Sequence, residues 1–150
     1  MKTKILILHG PNLNLLGERQ PEIYGTMTLT ELNQELTIFA NTFGGELLIF
    51  QSNSEGTLID LLHEHRHQVR GVVINPGAYT HYSYALRDAI AAIASPQMPV
   101  FEVHLSDIYQ REEFRHYSVI KDVCQGQVVG LGVRSYFKAI EKLLGSTAKI

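Results

Sequence analysis

The sequence predicts an α/β domain of flavodoxin-like, doubly wound form: five parallel strands with helices on both faces. Three observations lead there. Five short apolar runs recur along the chain. They alternate with segments of roughly 10–14 residues whose apolar positions fall at helical spacing, the pattern of right-handed βαβ units. The 150 residues contain no internal repeat and no Ser/Gly/Pro-rich divider, so residues 1–150 are read as a single domain, a length that is enough to bury a core without staples.

The elements follow in order. Lys4–Leu8 (KILIL) is aliphatic on both faces, as a buried parallel strand requires. Thr28 or Thr30 can cap a helix to about Phe43, with Leu29, Leu32, Leu36, Phe39 and Phe43 at helical spacing and Gly44-Gly45 to stop it. Glu46–Phe50 (ELLIF) is the second strand. Ser54 precedes a helix reaching about Arg66, with Leu58, Ile59, Leu61 and Leu62 as its buried stripe. Gly71–Ile74 is the third strand, and Tyr84–Ala94 an Ala-rich helix ending before Pro96. Val100–Val103 is the fourth strand and Gln127–Val129 the centre of the fifth. A last helix spans about Arg134–Leu144, with Tyr136, Phe137, Ile140, Leu143 and Leu144 on one side.

Composition excludes several function classes. Apolar residues at 45% supply enough burial to rule out disorder. A formal net charge of −2 leaves no basic excess for an electrostatic nucleic-acid partner. No apolar run approaches the ~18 residues of a membrane span. Only four consecutive apolar residues precede His9, too few for a signal peptide. The single cysteine, Cys124, excludes an intrachain disulfide, and a cytoplasmic location is the expectation.

Open parallel sheets bind ligands beyond the C-terminal ends of their strands. Here those ends carry His9-Gly10-Pro11-Asn12, Gln51-Ser52-Asn53, Asn75 to His81, His104-Leu105-Ser106-Asp107 and Gly130-Leu131-Gly132. The set is rich in amides, imidazoles and hydroxyls, suited to a polyhydroxylated or carboxylated small molecule and poorly suited to Mg²⁺. The first connection, Gly10 to Met27, lacks periodicity and is far longer than the usual ~2–6 residues, which marks a lid or binding loop at about residues 17–25. Three further signals are discounted. Gly130-x-Gly132-x-x-Ser135 departs from the dinucleotide fingerprint at its third position and precedes no later strand. His63, His65 and His67 read as a solvated helix face, and Cys124 as a buried small hydrophobe.

These residues resemble a known family. His9-Gly10-Pro11-Asn12-Leu13-Asn14-Leu15-Leu16-Gly17, then Arg19, Pro21 and Tyr24-Gly25, is similar to the N-terminal signature of type II 3-dehydroquinate dehydratases. The resemblance continues through Asn75-Pro76-Gly77-Ala78-Tyr79-Thr80-His81 and Ala85-Leu86-Arg87-Asp88-Ala89. It resumes at Glu102-Val103-His104-Leu105-Ser106, Arg111-Glu112-x-Phe114-Arg115 and Gly130-Leu131-Gly132. Asp107, where Asn is common, and Tyr109-Gln110, where His-Ala is common, depart from the family pattern without touching a residue assigned a role.

The resemblance implies a flavodoxin-like fold and dehydration of 3-dehydroquinate to 3-dehydroshikimate through an enolate, with no cofactor, metal or Schiff base. It makes Tyr24 the base. An unperturbed tyrosine is ionised to only about one part in a thousand at pH 7, a deficit of ~4 kcal/mol. A cation must therefore favour the phenolate, and Arg19 on the same loop is the expected one. His104 is implied as general acid, with Glu102 two residues earlier on the same strand face to orient it. Asn12 is expected to hold a water or the enolate oxygen. Substrate binding falls to Asn75, His81 and Arg115, with the backbone N–H groups of Leu105 and Ser106 taking the carboxylate. Asp88 matches an acid that reaches a neighbouring subunit's site, so the resemblance also implies a homo-oligomer of trimers, typically a dodecamer. Two competing readings remain at this stage: a flavodoxin-like FMN or nucleotide module, resting on fold analogy, and a metal-assisted hydrolase using His9, His81 and His104.

Overall fold

The computed structural model describes residues 1–147. Five strands, β1 (Thr3–His9), β2 (Gly45–Gln51), β3 (Val72–Asn75), β4 (Val100–His104) and β5 (Gly126–Val129), form one sheet in the order β2-β1-β3-β4-β5. Every pairing is parallel. The helices are α1 (Pro21–Tyr24), α2 (Leu29–Asn41), α3 (Glu55–His65), α4 (Tyr84–Ile93) and α5 (Arg134–Thr147).

Strand alternation divides the core into two layers, as a sheet covered on both faces requires. Ile5, Ile7, Val73, Phe101 and Val103 face α2 and α5, where they meet Leu32, Leu36, Ala40, Tyr136, Ala139 and Ile140. Leu6, Leu8, Val72, Ile74 and Val100 face α3 and α4, packing on Leu58, Leu62, Leu86, Ala89 and Ile90. Thr28 starts α2 with a capping box: its hydroxyl accepts from the Glu31 N–H at 3.2 Å, and its own N–H donates to the Glu31 carboxylate at 3.0 Å. Ser54 and Ser83 cap α3 and α4 in the same way, each through one side-chain acceptor.

Several expectations change. The strands run further than their apolar cores, because ladder pairing carries on into polar residues: His9 pairs with both Gln51 and Asn75, and His104 with Val129. The first connection is not irregular throughout. It contains a 3₁₀ turn at Leu13–Leu15 and the single-turn helix α1, both too short to register as periodicity. His65 is not on a solvated face. It is 9% exposed, stacked on Phe50 at 5.0 Å between ring centroids and hydrogen-bonded to Gln68 at 3.1 Å, whereas His63 and His67 are exposed. Cys124 packs partly buried against the α3–α4 core layer, and burial pushes its thiol up, away from nucleophilic use.

The sheet order places a switch point beside β1, where the chain turns from β2 on one side to β3 on the other. Gly10 sits at that point. A Cβ there would lie 2.7 Å from the Asn75 carbonyl oxygen and 2.8 Å from Pro76, so the close approach of the two strand ends requires glycine.

Candidate active site

A cleft opens over the ends of β1, β3 and β4. Pro11, Asn12 and Leu13 border it after β1; Asn75, Gly77, Ala78 and His81 after β3; and His104, Leu105, Ser106, Ile108, Arg111 and Arg115 after β4. Arg19 and Tyr24 of the first connection complete the wall. Of the expected site residues, the fold therefore brings together Asn12, Arg19, Tyr24, Asn75, His81, His104, Leu105, Ser106 and Arg115. Glu102 lies beneath the cleft, and Asp88 lies outside it, exposed on α4.

Tyr24 stands at the last position of α1. Pro21 opens this turn with its preset φ, Gln20 before it is left-handed at φ 41°, and Gly25 closes it with an N–H to the Pro21 carbonyl at 2.8 Å. Arg19 stacks its guanidinium 4.8 Å from the Tyr24 ring centroid. The hydrogen bond to the phenol oxygen comes from elsewhere: Arg111 Nη1 donates to Tyr24 Oη at 2.9 Å and to Ser106 Oγ at 3.2 Å. Arg19 alone was the expected cation; Arg111 is the one at hydrogen-bond distance from the phenol oxygen. It lies in the Arg111–Arg115 motif, but linear spacing gives no sign that a turn 87 residues away folds onto the first connection.

His104 ends β4 at 5% exposed, and its Nε2 meets Glu102 Oε2 at 2.6 Å. Glu102 has no exposed surface. Burial opposes its ionisation, but hydrogen bonds from His104, Thr80 and Ser118, with the nearby His104 charge, outweigh that and hold the carboxyl below its usual range. Ser118 Oγ is 3.0 Å from both carboxylate oxygens, and the Thr80 hydroxyl donates to Oε2. Thr80 lies in the Asn75–His81 motif, but nothing there marks it as a partner of Glu102, and Ser118 lies in no motif. The arrangement commits Nε2 to Glu102, which leaves Nδ1 to exchange a proton with a ligand.

Polar groups around the cleft are similarly fixed. Asn75 Oδ1 accepts from the Gly77 N–H at 3.1 Å. His81 Nδ1 donates to the Tyr117 carbonyl at 2.8 Å. Its pKa is lowered by burial, reinforced by the charges of His104 and Arg115 and opposed by the Tyr117 hydrogen bond and the charge of Glu102. Arg115 Nε donates to Glu112 at 3.1 Å. Asn12 adopts a left-handed conformation at φ 71°, its N–H bound to Asn53 Oδ1 at 3.0 Å.

The competing readings lose their groups. A phosphate needs free backbone N–H groups in the Gly130–Gly132 turn. Gly130 N–H instead donates to the carbonyls of His104 and Ser106, Gly132 N–H to that of Leu105, and Leu131 N–H to Ser135 Oγ. A Cβ at Gly130 would meet Asp107 at 3.1 Å, which is the close packing the glycine serves. For a metal, His9 is engaged at both ring nitrogens, by Tyr136 and Asn33. Among the described residues no group of three or more His, Cys, Asp or Glu side chains is placed to hold one.

Sheet order and cleft position put the protein among the doubly wound α/β enzymes that bind small molecules at a strand-end switch point. Residues 3–144 match the family described as dehydroquinase class II. A 3-dehydroquinate dehydratase of Bacillus pumilus is 58% identical over 139 residues, 93% of this chain and 92% of that protein. One from Bacillus licheniformis is 57% identical over 145 residues, 97% of this chain and 98% of that protein. The crystal structure of the type II dehydroquinase from Butyrivibrio crossotus matches at a TM-score of 0.91 and 45% identity, covering 95% of this chain and 97% of that one. The chain belongs to the class II dehydroquinase family.

Proposed function

We propose that the protein dehydrates 3-dehydroquinate to 3-dehydroshikimate by cofactor-free acid–base catalysis, the step that serves the shikimate route to aromatic compounds. The observation that carries this reading is that Tyr24, hydrogen-bonded by Arg111, and His104, backed by the buried Glu102, border one cleft. Elimination beside a ketone needs a base for the α-proton, a donor for the enolate oxygen and an acid for the departing hydroxyl. Tyr24, as phenolate, takes the α-proton. Positive charge from Arg111 at hydrogen-bond distance, and from Arg19 over the ring, opposes the cost of negative charge on that oxygen. The electron pair moves onto the ketone to form the enolate, which Asn12 holds directly or through a water. Collapse of the enolate expels the hydroxyl, and protonated His104 supplies its proton so that water leaves. Glu102 stabilises the imidazolium until then. Asn75, His81, Arg115 and the backbone of Leu105 and Ser106 hold the hydroxyl and carboxylate oxygens.

The same reading takes the protein to a dodecamer of trimers in which Asp88 enters a neighbour's cleft. Its support is the exposure of Asp88 outside its own cleft, and a run of exposed aromatics around His81: Tyr82, Tyr84, Phe114 and Tyr117. Such a patch marks an interface. Among the described residues no helix is long and apolar enough to cross a membrane. The cytoplasmic location proposed for the enzyme rests on its single cysteine, Cys124, which is free. The activity is checked by following enone absorbance with 3-dehydroquinate in EDTA. The absorbance is expected to rise at an undiminished rate; no rise rejects the reading.

A further inference from the structure

Two hydroxyls that take no part in the proposed proton transfers converge on Glu102. Thr80 belongs to the 3₁₀ turn Gly77–His81 after β3 and is fully buried, next to His81. Ser118 follows the turn Glu113–His116, which carries Arg115, and is half-buried. Thr80 Oγ1 donates to Glu102 Oε2, and Ser118 Oγ stands 3.0 Å from both carboxylate oxygens. The Ser118 oxygen itself accepts from the Lys121 N–H at 3.1 Å, so its one proton is free for the carboxylate. The two segments are also tied to each other: the Val119 N–H donates to the Thr80 carbonyl at 2.8 Å, and His81 Nδ1 to the Tyr117 carbonyl at 2.8 Å. One buried carboxylate thus joins His104 to the turns that bring His81 and Arg115 to the cleft.

The charge on this group changes as His104 acts. With His104 protonated, imidazolium and carboxylate cancel. Once Nδ1 has given its proton to the departing hydroxyl, one negative charge remains on Glu102, which has no exposed surface through which water could spread it. The neighbouring strands add no opposite charge, since Glu102 lies in register with Ile74 of β3 and Gln127 of β5. The layer that α3 and α4 lay on this face of the sheet is apolar. The ionisable groups that act on the pair from its surroundings are His81 and Arg115, from the two turns, and Cys124, whose thiol burial keeps uncharged. Arg19, Tyr24 and Arg111 border the same cleft. After the His104 N–H, the two hydroxyls are the carboxylate's remaining side-chain donors. They stabilise the spent pair, with its uncompensated charge, more than the loaded one. His104 is thereby a stronger acid than the same His–Glu pair without them.

We propose that Thr80 and Ser118 are positioning residues for the general acid: by donating to Glu102 they take up the negative charge left when His104 delivers its proton, and so keep His104 acidic enough to release it. The inference rests on the reading of His104 as the acid. A merely structural role, in which the hydroxyls only satisfy a buried carboxylate, would show in stability and leave the acid strength of His104 alone.

The test is the titration of His104, followed through its imidazole NMR signals in the substrate-free protein and assigned by their loss in His104→Gln. Ser118→Ala is expected to raise the midpoint by about one pH unit, the effect of removing one donor from the charged, deprotonated pair. Thr80→Val is expected to do the same, and is the variant read if Ser118→Ala does not fold. Thr80→Ser keeps the hydroxyl and is expected to stay within about 0.3 unit of wild type. On a Glu102→Gln background, Ser118→Ala is expected to leave the midpoint where Glu102→Gln puts it, since no carboxylate charge is left to share. A rise of less than about half a unit, a fall, or an equal rise on both backgrounds overturns the proposal. In turnover, the limb of the kcat–pH profile set by loss of the His104 proton is expected to move up with the NMR midpoint. A wild-type protein inactive on 3-dehydroquinate would reject the proposed function; the titration needs no substrate and still reads whether the hydroxyls act on His104 through Glu102.

Discussion

Glu102 is a carboxylate with no exposed surface that stays ionised because three donors converge on it, while His9, equally buried, stays neutral because burial dominates its balance. The contrast has a measurable consequence. As pH falls, the unfolded chain protonates His9 near 6.5, but the folded protein holds it neutral down to about 4. The unfolded state binds more protons across that window, so stability drops, by about 1.36 kcal/mol per pH unit and about 3 kcal/mol by its lower end. Glu102 works in the same direction below its ordinary range: its stabilisation is present above the unfolded pKa and lost as pH falls through the folded one. In denaturant titrations at pH 7 and pH 4, wild type is therefore predicted to lose about 3 kcal/mol more than His9→Gln. Equal losses would contradict the assignment. Residue identity in the site was readable where chemistry and position coincide, as with the Glu102–His104 alternation. It was not readable where a contact spans distant segments. Arg111 meets Tyr24, and His65 finds Phe50, only after folding.

Among the elements, α2 shows how local chemistry sets a boundary. Of the two threonines able to start it, Thr28 does so because Glu31 lies three residues on and completes the box. Thr28→Ala is predicted to cost about 1 kcal/mol in equilibrium unfolding, and Thr30→Ala much less. Similar costs would reject Thr28 as the cap. Core strands and long helices were legible because their apolar periodicity is what burial on two faces demands. α1 was not, since a four-residue turn has no period to detect. Its position depends on Pro21 and Gly25 at its ends and on guanidinium contacts to Tyr24. That turn carries the phenol proposed as the base, so the least regular stretch of sequence holds a side chain fixed by two guanidinium groups.

At the scale of the molecule, a sheet with β1 at its switch point gathers residues from three separate connections into one cleft. The strand-end rule pointed to that edge of the sheet from sequence, because it depends only on strand direction, but it did not separate the ends of β1, β3 and β4, which border the cleft, from those of β2 and β5, which do not. The assembly is different: an exposed Asp88 and exposed aromatics become informative only against a partner. If Asp88 serves a neighbour's site, mixing and reassembling Tyr24→Phe and Asp88→Ala subunits should restore activity at roughly a quarter of the sites, those pairing an intact Tyr24 with a neighbour's intact Asp88. No recovery after verified subunit exchange would confine Asp88 to its own chain. The central claim, that Tyr24 removes the α-proton, is met most directly by single-turnover absorbance with 3-dehydroquinate and Tyr24→Phe. The account predicts retained binding and a chemical step slowed by about a thousandfold or more. Turnover within about tenfold of wild type would contradict it.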